Sequence, residues 1–404
     1  MRLQSIITAI LTIAMTFNSV SFTSDAKKKD EKAKYIFLFI GDGMGANHVA
    51  TAESYLSYLQ GKLGGVTLTM SQFPYYGTAN SYSADKNITD SSAAGTAISC
   101  GVKTYNGGLG VDAEGNPVKS MTYDLKEDGY KIGVMSTVPI NHATPGAFYA
   151  SSNSRNDYYD ISTQIVKSDF DFFAGSGFID FRGKKGEDKE AIDVYLEKNG
   201  YEVCYGIEEF KKDSQGKDKV VFCQESNRAE SAGNYVSSGD IPADATLAEM
   251  LQLGIDYLTD EEPFFIMCEG GDIDWTAHAN KTMPMVMDVL ELDEAVAVAY
   301  EFYKKHPKET LIIVTADHET GGLSLGAGPE IIGWETLIEQ WEKDGKQNNL
   351  GWKENSDLNR KSSIGWTTGG HTATPVPVFS IGKGAEKFSG RMDNTDIKGK
   401  ILGK

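Results

Sequence analysis

Five strand-like runs constrain this chain more than any other feature: Tyr35–Ile40 (YIFLFI), Lys131–Val138 (KIGVMSTV), Phe264–Cys268 (FFIMC), Thr310–Ala316 (TLIIVTA) and Val376–Ile381 (VPVFSI). They are short and largely continuous in apolar character rather than alternating. A strand with apolar side chains on both faces must be covered on both faces, which is the situation of parallel sheets flanked by helices. Helical patterns lie between the runs, at Ala46–Gln60, from about Ala243 to Leu258, and within Met283–Lys305. The pattern predicts an α/β fold, a three-layer sandwich whose large, mostly parallel central sheet carries helices on both faces. No internal repeat and no Pro/Gly/Ser-rich linker divides it. Residues 27–404 therefore read as a single domain. Charge- and glycine-rich surface insertions are expected near 178–234 and 322–363.

Ahead of that domain, Arg2 precedes an apolar run from Leu3 to Phe17, followed by small and polar residues. This reads as a secretory signal peptide over residues 1–26, cleaved within about 21–26. The run is shorter than the roughly 18 apolar residues that a membrane span needs. No second long apolar segment follows, so an exported protein without a membrane span is expected, periplasmic or secreted. The chain carries 39 Lys+Arg against 57 Asp+Glu, a net charge of -18. That balance argues against a nucleic-acid-binding surface, which needs clustered cations. Four cysteines in 404 residues exclude a disulfide scaffold. Cys204 and Cys223 flank the charged insertion and could pair in an oxidising compartment. Cys100 and Cys268 read as buried thiols.

Acids and histidines cluster just after the runs, where open parallel sheets bind ligands. Asp42 lies in Gly41-Asp-Gly-Met-Gly45 after the first run. Glu269-Gly-Gly-Asp-Ile-Asp274-Trp-Thr-Ala-His278 follows the third, and Asp317-His318-Glu319 the fourth. Asp274 and His278 are four apart and share a face if the segment is helical. Carboxylate and imidazole together suit Zn²⁺. Asp272 is expected to face away from Asp274. His371 lies in a Gly-rich turn before the last run. Ser91, in Thr89-Asp-Ser-Ser-Ala-Ala-Gly-Thr96, can open a helix and expose free N–H groups to an anion. A hydroxyl needs a base or a metal to become a nucleophile. His48, in a helix, and His306, at a helix end, are expected at the surface.

GDGMG at 41–45, TDSSAAGTA at 89–97, NHATPGAFYASSNSR at 141–155, EGGDIDWTAH at 269–278, TADHETGG at 315–322 and GGHTATPVPVF at 369–379 together resemble the alkaline phosphatase family, in the family's order. The resemblance implies that Asp274, His278 and His371 bind a first zinc, and Asp42, Asp317 and His318 a second. Asp42, Thr144 and Glu269 would bind a third ion, magnesium or zinc. It implies Ser91 as nucleophile, Arg155 as phosphate binder, and Asp90 as the residue orienting that arginine. His142 and Trp275 lie beside the third metal and the phosphate. They follow a bacterial His/Trp variant of the family, whereas its enteric form has Asp and Lys there. The activity implied is hydrolysis of a broad range of phosphomonoesters through a phosphoserine, commonly by a homodimer. Two other readings are a phosphodiesterase using Thr89 or Thr96, and a metal- or phosphate-binding protein without catalysis. The sequons at Asn87 and Asn280 stand beside catalytic motifs and read as chance matches.

Overall fold

A computed structural model describes residues 32–227, 244–260, 262–346 and 349–404. The expected signal peptide lies outside the described residues. Lys32–Lys404 form one compact unit. Its strands, in chain order, are β1 Tyr35–Gly41, β2 Tyr75–Asn80, β3 Lys131–Ser136, β4 Phe172–Gly175, β5 Glu202–Tyr205, β6 Val220–Cys223 and β7 Phe264–Gly270, then β8 Thr310–Thr315, β9 Glu319–Thr320, β10 Leu323–Leu325, β11 Ile364–Trp366, β12 His371–Thr372, β13 Val376–Gly382 and β14 Gly390–Asp393. Ten of them make one sheet in the order β14-β2-β13-β8-β1-β7-β3-β4-β6-β5. Every pairing in it is parallel except those of β13 with β2 and β8.

The apolar runs explain the centre of this sheet. β1, β7 and β8 are buried at every position, as strands sandwiched between helical layers must be. The helix Thr282–Lys305 joins β7 to β8 and buries Met283, Met285, Val289 and Leu292. The helix Leu247–Leu258 packs beside β3. It starts at a capping box, with Thr246 accepting from the Glu249 amide and Glu249 returning to the Thr246 amide.

Part of the segment 178–234 departs from the expected surface insertion. β5 and β6 extend the sheet edge, and Val203, Cys204, Val220, Val221 and Phe222 are buried there. Both strands are four residues long and sit among charges, so periodicity did not reveal them. Cys204 pairs with Phe222, and Cys223 with Tyr205. The cysteines are therefore one step out of register and point to opposite faces of the sheet. Both are free thiols, not a disulfide. Residues 322–363 supply β10, which pairs with β11 just beyond them, and the helices Trp334–Lys343 and Trp352–Lys361. Trp334 docks on the helix Ala46–Leu59, its indole donating to Ser54 Oγ at 3.2 Å.

Candidate active site

Strand register brings the acids to one edge. Ile40 of β1 lies beside Glu269 of β7 and Thr315 of β8, and Ser136 of β3 lies on the other flank of Glu269. Asp42, Glu269 and Asp317 thus stand together where these strands end. Gly43 turns through φ +74, a conformation that favours glycine, and its N–H donates to Asp317 Oδ1 at 3.1 Å. All three acids are fully buried.

The donor atoms fall into three groups, each with its members within 4.8 Å of one another: Asp274, His318 and His371; Asp42, Asp317 and His318; and Asp42, His142 and Glu269. His278 joins the first group, its Nε2 3.2 Å from Asp274 Oδ2 and 3.1 Å from His371 Nε2. Asp274 and His278 share a face because Asp272–His278 is helical. Asp272 opens that helix and belongs to none of the three groups.

The imidazole tautomers are fixed from behind. His278 Nδ1 donates to Gly369 O at 2.7 Å and His371 Nδ1 to Thr89 O at 2.8 Å. In neutral rings both Nε2 atoms are then lone pairs turned towards each other at 3.1 Å, an arrangement that needs a proton or a metal ion between them. Asp42 Oδ1 and Oδ2, Glu269 Oε1, Asp317 Oδ2, His142 Nδ1 and Thr144 Oγ1 are buried without a hydrogen-bond partner. Buried polar atoms are normally paired, and here the orphans gather in one place. These donors fit metal ions: imidazoles and carboxylates in two groups, and mostly oxygen around Glu269 and Thr144.

The electrostatics agree. Burial, then the charges of Asp317, Asp274 and Glu269, pushes the Asp42 carboxyl well above its ordinary range. Burial, then neighbouring acids, lifts Glu269 to about 8 and Asp317 to about 7. Burial also acts to raise Asp274, but the His278 hydrogen bond and the nearby imidazoles hold it well below the usual range. Burial, then the charge of Arg155, drives His142 down to about 3.

Ser91 opens the helix Ser91–Cys100, with Asp90 as its N-cap. Ser91 Oγ lies 3.3 Å from His318 Nε2. Asp90 Oδ1 accepts from the Ala93 amide at 3.0 Å, and Oδ2 accepts from Ser92 Oγ at 2.9 Å and the Gly107 amide at 3.0 Å. Arg155 Nη1 completes the set at 3.1 Å from Asp90 Oδ2, so the N-cap of the serine's helix also holds the arginine. Arg155 Nη2 is 3.4 Å from His142 Nε2, and Trp275 stands edge-on to His142 with ring centres 5.7 Å apart. The alternative hydroxyls point elsewhere: Thr89 donates to Asp90 O and Thr96 to Ser92 O.

A sequence model of the alkaline phosphatase family matches residues 33–402. The chain belongs to the alkaline phosphatase family. Its activity is phosphate monoester hydrolysis. Alkaline phosphatase 4 of Bacillus subtilis is 30% identical over 92% of this chain and 89% of its own length. Alkaline phosphatase 3 of the same organism is 30% identical over 97% and 94%. Among solved structures, the alkaline phosphatase of the Antarctic bacterium TAB5 is 31% identical, covers 92% of this chain and 98% of its own, and superposes with a TM-score of 0.74. That of Thermus thermophilus is 25% identical, covers 98% and 95%, and reaches a TM-score of 0.76. A TAB5 mutant with histidine replaced by glutamate holds Mg in a site called M3.

Several residues around the site escaped sequence reasoning. Ser136 donates to Glu269 Oε2, and Thr320 donates to Asp274 Oδ1 while lying 3.2 Å from His318 Nδ1. Single hydroxyls at strand ends carry no pattern that could have marked them. His48 is not at the surface. It is fully buried, its Nδ1 accepts from the Gly45 amide at 3.1 Å, and burial drives it down to about 4. His48 and Val49 lie on the buried side of the first turn, with Ala46 and Asn47 exposed, and the imidazole there serves as a capping acceptor. His306 is half-covered against Phe302 and Tyr35. Asn280 is buried, so its sequon offers no glycosylation site in the folded chain.

Proposed function

We propose that this alkaline phosphatase works through a covalent phosphoserine on Ser91 and acts on a broad range of phosphomonoesters. The observation that carries the reading is the placement of Ser91 Oγ at a helix N-terminus, 3.3 Å from His318 Nε2 and beside orphaned carboxylates. Asp274, His278 and His371 would hold one zinc, and Asp42, Asp317 and His318 a second. Asp42, Thr144 and Glu269 would hold a third ion, with His142 Nδ1 within reach. Bound there, such ions would neutralise the crowded carboxylates and supply Lewis acidity to the entering and leaving oxygens.

The chain's own residues account for positioning. The free amides of the first turn and the helix dipole favour a phosphoryl group at Ser91. Arg155, its Nη1 held by Asp90, presents its remaining N–H groups as a planar fork for two phosphate oxygens. Ser91 Oγ attacks phosphorus and the leaving-group oxygen departs. Water then cleaves the phosphoserine, restoring Ser91 and releasing phosphate. Trp275 offers no charge to the phosphate. His142 places a nitrogen where an all-oxygen set would suit magnesium, which favours zinc in the third site. Export through residues 1–26, one catalytic domain over 27–404 and a homodimer complete the reading. Among the described residues, no helix is long and apolar enough to cross a membrane.

Ser91→Ala is the test. Turnover should vanish while zinc content stays unchanged, and acid-quenched wild-type enzyme should yield a Ser91 phosphopeptide by mass spectrometry. Retained turnover in Ser91→Ala would refute the proposal.

A further inference from the structure

Glu319 belongs to none of the three donor groups, yet it is a buried carboxylate that touches three of the segments that supply them. It is 4% exposed. Its Oε2 accepts from the Gly322 amide at 3.2 Å, its Oε1 from the Leu323 amide at 3.1 Å, and Thr372 Oγ1 donates to Oε2. β9 and β12 form a separate two-residue ladder, with Thr320 opposite His371 and Glu319 opposite Thr372. The Gly321 amide on Gly370 O, at 2.9 Å, extends this short ladder, and the Glu319–Thr372 bond adds a side-chain tie across it. On the other side, a Cβ on Gly45 would stand 2.3 Å from Glu319 Cγ. The carboxylate therefore occupies space that glycine leaves open, three residues after Asp42.

One side chain thus joins the loop after β1, the loop bearing Asp317 and His318, and the turn bearing His371. A buried carboxylate is costly, and closing a short ladder does not by itself require one. We infer that Glu319 is a positioning residue for metal binding: it holds His318 and His371 in register so that their Nε2 atoms converge. This rests on the reading of those histidines as metal ligands.

The test uses the metal-free full chain titrated with Co²⁺. Visible bands report the coordination geometry, and competition with a chromophoric chelator gives the affinity. Glu319→Gln puts an NH₂ group against hydrogen-bond donors and should weaken Co²⁺ binding about tenfold or more and alter the bands, with unchanged far-ultraviolet circular dichroism. Thr372→Val removes only the cross-strand bond and should act in the same direction, less strongly. Gly45 has φ -77, which alanine tolerates. Gly45→Ala should displace the carboxylate and reproduce the Glu319→Gln loss. Folded Glu319→Gln with wild-type affinity and bands would overturn the inference, whatever its melting temperature. If that variant fails to fold, wild-type binding by Thr372→Val overturns it instead. A wild-type chain that takes up no Co²⁺ would overturn the underlying reading of the histidines as ligands, and the inference with it.

Discussion

Chelation is expected to give this protein a stability that falls as pH rises from 6.5 to 8. In the metal-free chain, Glu269 is lifted by burial and neighbouring acids from an ordinary 4.5 to about 8. A carboxyl raised on folding binds more protons in the native state. Its stabilisation is full below the unfolded value and is lost as pH climbs to the folded one. At 1.36 kcal/mol per pH unit, Glu269 alone accounts for about 2 kcal/mol between pH 6.5 and 8. Asp42 and Asp317, also raised, act in the same direction. His48, His142 and His318 are depressed by burial, which has the opposite sign. Each still gains about 0.4 kcal/mol between pH 6.5 and 8, as the unfolded imidazole loses its remaining half-proton, and this partly offsets the larger loss from the three acids. Unfolding entropy near 2.1 cal/mol/K per residue, over roughly 370 residues, makes 1 kcal/mol worth about 1.3 °C. Glu269 should then lower the melting temperature by about 3 °C, and the whole cluster by more. The measurement is a thermal melt of chelator-treated protein at several pH values across this window, repeated after Zn²⁺ and Mg²⁺ are restored. Restored ions should flatten the dependence, because the ligands are then ionised throughout. A metal-free melting temperature that stays level or rises from pH 6.5 to 8 would refute the reasoning.

Three further outcomes follow from the geometry. Asp90→Asn keeps an N-cap acceptor for Ala93 but sets an NH₂ group against the Gly107 amide and Arg155, so stability should fall by about 1–3 kcal/mol. It loses the charge that holds Arg155, so the inhibition constant for inorganic phosphate should rise severalfold in steady-state kinetics. His142→Asp replaces a nitrogen donor with oxygen among Asp42 and Glu269, and should raise Mg²⁺ affinity in calorimetry. Cys204 and Cys223 lie on opposite faces of the sheet, so a reducing agent should leave the melting temperature within about 1 °C.

Much of the site was legible because its chemistry is local. Asp42, Glu269, Asp274, Asp317 and His318 each follow a strongly apolar run, and Asp274 and His278 carry helical spacing. Ser136, Thr320 and Glu319 were not marked, since their roles arise only from partners across the sheet or ladder. His48 was misplaced for a related reason: helix periodicity tells where a helix lies, but not which face its first turn buries. β5 and β6 were too short, and too closely flanked by charge, to stand out from an insertion.

By itself, the sequence determined the alternation of buried strands and helices, the ends at which acids gather, and the residue types that suit metals and phosphate. These follow from apolar patterning and side-chain chemistry, which act over a few residues. The tertiary structure decided the geometry: how closely the acids crowd together, that the Nε2 atoms of His278 and His371 face each other, and that one Asp90 carboxylate both caps a helix and holds Arg155. Those facts depend on strand register and loop packing between segments far apart in the chain. The same folding that buries the acids leaves their oxygens without partners, and that shortage of hydrogen bonds makes the site one for cations.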